Sequence, residues 1–156
     1  NAETCHLGAL LMGSVTDPCY VEFRRALATG EQRPHMLWAV AATHLSEMLT
    51  ERGDAAEALE WAEHAIEWWP TVSPPYRAKA SAQMALGDLT AAAATREASL
   101  PLAAFDAQHR ADLIDAFRAL GMNDKARALA AETARLFDAV EGQEATAAHF
   151  RSLARP

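Results

Sequence analysis

Gly53-Asp54-Ala55-Ala56-Glu57-Ala58-Leu59-Glu60-Trp61-Ala62-Glu63-His64-Ala65-Ile66, followed by Pro70, is the stretch that decides the fold. Ala55, Ala58, Leu59, Ala62, Ala65, Ile66 and Trp69 recur at the i, i+3, i+4, i+7 spacing of a helix with one buried stripe. The segment before the glycine does the same with Trp38, Ala41, Ala42, Leu45, Met48 and Leu49. Gly53 suits the left-handed residue on which a helix commonly ends, a conformation that costs glycine no Cβ clash. Asp54 is then placed to accept hydrogen bonds from the free N–H groups of the next helix.

The pattern repeats. Gly53, Gly87 and Gly121 are 34 residues apart. Asp54 and Asp88 follow the first two, and Asn123 and Asp124 come after the third. With the glycines in register, the position five residues later is Ala58, Ala92 and Ala126, and the position twelve later is Ala65, Ser99 and Thr133. Small side chains at both positions let one helix lie close to its partner. Eight residues before the glycine stand Leu45, Lys79 and Leu113, so Lys79 breaks the apolar pattern of the middle unit. Pro70, Pro74 and Pro75 separate the first unit from the second, and Pro101 cuts the helix after Gly87.

A 34-residue helix–turn–helix with Gly-Asp at the turn, small residues on the second helix and a closing proline resembles the tetratricopeptide repeat, or TPR. The likeness is carried best by Gly53 to Pro70 and extends over residues 38–140; Ala104 and Asp138 stand where later closing prolines would fall. It implies an all-α fold, a TPR-like α-solenoid of antiparallel helix pairs in a right-handed superhelix with flanking capping helices. The units fall at 39–72, 73–106 and 107–140, within a single domain over 1–156. Residues 1–38 cap one end with helices over 3–13 and 18–29, where Asp17 serves as N-cap, Pro18 sits in the first turn and Gly30 ends the helix. Residues 141–156 cap the other, with a helix over 143–154 whose inner face is Ala147, Phe150 and Leu153.

In that family the first helix of each unit lines a concave face that binds a peptide or a partner's helix. By register, the groove positions are Thr43, Glu47 and Thr50 in the first unit, Arg77, Ser81 and Met84 in the second, and Ala111, Asp115 and Arg118 in the third. This implies a non-catalytic scaffold that binds a protein or peptide. Members that clamp a chaperone's C-terminal carboxylates use Lys and Asn in the groove; Thr43 and Glu47 replace them here, so that partner is not expected. A second reading comes from a looser likeness of Ala58 to Leu102 to regulatory TPR-like domains of larger bacterial transcription regulators. Two further classes stay open: a sensor holding an apolar molecule between units, and a metal-dependent enzyme.

The chain has 156 residues, about one domain's worth, and 51% of them are hydrophobic, enough to offset the entropy of ordering. Its net charge of −7 argues against direct nucleic-acid binding, which needs a basic face. Residues 39–72 hold seven acids against one base, so most of that charge belongs to the first unit. Glu57, Glu60, His64 and Glu67 form one stripe on its second helix, opposite the apolar one. A basic partner docking on Glu57, Glu60 and Glu67 would gain mainly in association rate; a solubilising outer face is the plainer alternative.

Glu60 and His64 at i, i+4 could ligate a metal, yet a real site adds third and fourth ligands and a supporting shell, so neither metal nor cofactor is expected. The six histidines show no HExxH spacing, and the chain has no GxGxxG, P-loop or GxSxG. Cys5 and His6 are adjacent, but neighbours on a helix point about 100° apart and make no catalytic pair. An enzyme is therefore not expected. Trp38 and Trp69 lie on the apolar stripes and read as core, whereas Trp61 and Trp68 form a second stripe. That stripe either packs on the N-terminal helices or a neighbouring unit, or anchors self-association as a homodimer. Leu7 to Val15 lacks the flanks of a signal segment, and no run approaches the ~20 apolar residues of a membrane span. Cys5 and Cys19 read as two reduced thiols of a cytoplasmic protein. With no initiator Met, the chain is expected to start at a processed or truncated end, and Asn1 and Ala2 are set aside.

Overall fold

A computed structural model describes residues 18–28 and 36–155. The expected first helix over 3–13, Cys5, His6, the Asp17 cap and Gly30 lie outside the described residues. The fold is all-α. Among the described residues there are eight α-helices and one short 3₁₀ helix, with no strand. They are α1 (Pro18–Ala28), α2 (Met36–Arg52), α3 (Ala55–Trp68), α4 (Pro74–Ala85), α5 (Leu89–Ser99), the 3₁₀ helix (Leu100–Ala103), α6 (Ala107–Ala119), α7 (Asn123–Asp138) and α8 (Glu144–Leu153).

The three glycine turns are built alike. Gly53, Gly87 and Gly121 have φ of 95°, 81° and 72°. The amide after each glycine donates back five residues: Asp54 to the Leu49 carbonyl (2.9 Å), Asp88 to Gln83 (2.9 Å) and Met122 to Phe117 (2.8 Å). These bonds satisfy carbonyls that would otherwise be orphaned at the helix end. The helices that follow begin at Ala55, Leu89 and Asn123, again 34 residues apart. Ala58, Ala92 and Ala126 are fully buried, and so are Ser99, Thr133 and Ala65 at the later small position. The period in the sequence is therefore a period in backbone geometry and in burial.

The chain forms two compact units, one reaching to Asp88 and the other starting at Leu89. The boundary falls inside the second 34-residue segment. In the first unit α2 packs against both α3 and α4, and α3 packs against α4. Its core gathers Trp38, Leu45, Leu49, Ala58, Trp61 and Ala65, with Tyr20 of α1 against them. In the second unit α6 packs on α5 and α7, and α7 on α8. That core is Leu113, Ile114, Phe117, Ala130, Phe137, Ala147 and Phe150, with the Phe137 and Phe150 rings stacked 6.1 Å apart. Ala147 and Phe150 are thus the inner face of the last helix, with Leu153 packed beside them.

Local signals hold unevenly. Pro74 and Pro75 open α4, and Pro101 falls where α5 gives way to the 3₁₀ turn. Asp54 stands at the N-cap of α3, but its side chain makes no capping bond and pairs instead with Arg52 Nε at 3.1 Å. Asp106, ahead of α6, does cap: its Oδ1 accepts from the His109 amide at 3.0 Å. The buried stripe of α3 is also rotated from the expected one. Ala55, Ala58, Ala62 and Ala65 are buried as the spacing requires, yet Leu59, Ile66 and Trp69 are only half-buried, and Trp61 is buried in their place. The cause is α1, which brings the Tyr20 ring to 6.3 Å from Trp61. Trp38 is core as expected and meets the Trp68 ring edge-on at 5.6 Å.

Candidate functional site

Six of the groove positions lie in the first unit, on two helices that pack together, Thr43, Glu47 and Thr50 on α2 and Arg77, Ser81 and Met84 on α4. Thr43 must be removed from the set. It is buried, and its hydroxyl donates to the Ala39 carbonyl at 2.7 Å, so it has nothing to offer a ligand. Thr50 is half-buried and donates its hydroxyl to the Ser46 carbonyl at 2.8 Å, leaving its methyl and the oxygen's two lone pairs. Glu47 and Ser81 are half-buried, while Arg77 and Met84 are exposed. Neither Glu47 nor Arg77 forms an ion pair with another described residue. The two helices carry at these positions an acid, a guanidinium, a hydroxyl and a flexible thioether.

The remaining positions, Ala111, Asp115 and Arg118, lie on α6 in the second unit. Ala111 packs against the core of that unit. Arg118 donates to the Leu153 carbonyl at 2.8 Å and sits 3.9 Å from Asp115, so it ties down the end of α8. Such a residue is held by its own chain before any partner arrives.

The acidic stripe on α3 is only partly free. Glu60 and Glu67 are exposed, but Glu57 is half-buried and fully engaged. Its Oε1 accepts from the Tyr20 hydroxyl in a very short bond, from Trp61 Nε1 at 3.4 Å and from Arg24 Nε at 2.9 Å. It is the polar tie that seats α1 on α3. Burial pushes the Tyr20 hydroxyl up from 10.0 to about 12, helped by its bond to Glu57 and that carboxylate's charge, with Arg24 pulling the other way. Trp61, having packed here, is not an exposed anchor for self-association. His64 lies flat on Trp68 at 5.6 Å with Nδ1 3.6 Å from Glu67 Oε2. No group of three or more His, Cys, Asp or Glu among the described residues is arranged to hold a metal ion.

The second unit hides a polar cluster that the spacing did not reveal. Arg96, Ser99, His109, Arg110 and Thr133 are all buried. Arg110 Nε donates to the Ala104 carbonyl at 2.7 Å, and its Nη1 reaches Thr133 Oγ1 at 3.1 Å and Glu132 at 3.3 Å. Arg96 Nη1 pairs with Asp112 at 3.1 Å. Ser99 Oγ lies 3.5 Å from His109 Nε2, the outline of a nucleophile beside its base. The resemblance ends there. His109 Nε2 is 3.0 Å from the Arg96 carbonyl, which can only accept, so that nitrogen carries a proton and cannot take one from Ser99. Ser99 is also wholly buried, and its hydroxyl donates to the same carbonyl at 3.2 Å. The cluster staples α5 to α6 and α6 to α7. One signal could have found it: in register with the glycines, Arg96 replaces Ala62 and Ala130, and Arg110 replaces Ala42.

No helix among the described residues is long and apolar enough to cross a membrane. No protein-family model and no curated protein matches the chain.

Proposed function

We propose that this chain is a non-catalytic, tetratricopeptide-like binding module that takes a protein or peptide segment along the face shared by α2 and α4. The observation that carries this reading is the thrice-repeated helix, left-handed glycine and helix at a spacing of 34 residues. Such units cannot bury their apolar faces alone, and stacking them leaves the first helices of successive units side by side. The contact residues are Glu47, Thr50, Arg77, Ser81 and Met84. Arg77 takes a carboxylate in fork geometry, Glu47 takes a basic or amide group, and Met84 moulds to an apolar side chain. A rigid helical platform of this kind pays its ordering entropy at folding, so binding loses little more.

The test is selection of peptides from a displayed random library on the purified chain. Enriched peptides are then titrated against the double variant Glu47→Arg, Arg77→Glu, whose net charge is unchanged and whose helicity is checked by circular dichroism. Loss of binding in the folded double variant supports the reading. Equal binding by the variant, or a library with no enrichment, counts against it.

A further inference from the structure

We draw no further inference here: the strongest candidate, the exposed apolar side chains of Leu102 on the 3₁₀ helix and Phe105 on the turn into α6, whose ring stands edge-on to Phe137, carries nothing because nothing in the structure shows what covers it.

Discussion

Replacing Trp61 with alanine should be among the most damaging single changes in the first unit. Trp61 is only 2% exposed, and a buried indole removes about 150–250 Å² from water. At about 25 cal/mol per Å² that is about 4–6 kcal/mol, an upper figure because the unfolded chain is itself partly compact. The expected loss is therefore about 3–5 kcal/mol, the usual range for an aromatic-to-alanine change in a core. Leu59→Ala, two residues away and half-buried, should lose about 1–2 kcal/mol, since only part of its surface leaves water on folding. Trp61→Phe should fall between, because the apolar bulk is largely kept and the Glu57 bond it gives up is a long one at 3.4 Å. Urea unfolding followed by far-ultraviolet circular dichroism reads all three without depending on tryptophan emission. A cost below about 1 kcal/mol for Trp61→Ala, or a larger cost for Leu59→Ala, would refute the seating of α1 on α3.

Other outcomes follow from the same geometry. At Gly53, where φ is 95° and an added Cβ would meet nothing within 4 Å, alanine should cost about 1 kcal/mol of pure backbone strain, asparagine less and valine more, again by urea unfolding. In a Tyr76→Phe variant the one remaining tyrosine should ionise near pH 12 by ultraviolet absorbance. Because its folded value lies above the ordinary 10.0, the stability it lends is full below pH 10 and is lost as the pH rises towards 12. A midpoint near 10 in the folded protein would show that Tyr20 is not buried against α3 beside Glu57. Arg110→Met should lose about 2–3 kcal/mol, and Lys at the same position should restore little of it, because one ammonium cannot reach Ala104 and Thr133 in the same fork.

What could be read in advance was whatever is local. A left-handed helix terminus selects glycine by sterics alone, so Gly53, Gly87 and Gly121 marked their turns without help from the rest of the chain. Prolines and the alanine-rich stripes worked in the same way. The phase of α3 failed for a definable reason. Ala55, Ala58, Ala62 and Ala65 belong to both candidate stripes, flanked by Leu59, Ile66 and Trp69 on one side and Trp61 and Trp68 on the other. Only the helix that packs there decides, and Tyr20 is 37 residues from its partner Glu57. The groove residue Thr43 failed because a threonine's hydroxyl can turn back to its own helix, leaving no mark in the spacing. The glycine register marks Arg96 and Arg110 as departures, but not what they meet: the partners of Arg110 lie 6, 22 and 23 residues away, one just past the 3₁₀ turn and two on α7. The split at Asp88 coincides with the segment in which Lys79, Gln83 and Arg96 occupy positions that are apolar in the other two, a substitution visible in the alignment of the glycines.

Amide hydrogen exchange at three positions bears most directly on the repeated turn from which everything else is built. The amides of Asp54, Asp88 and Met122, each bonded to a carbonyl five residues back, should all exchange far more slowly than in a free peptide. Free-peptide rates at any one of the three would break the 34-residue period and, with it, the case for a binding module made of like units.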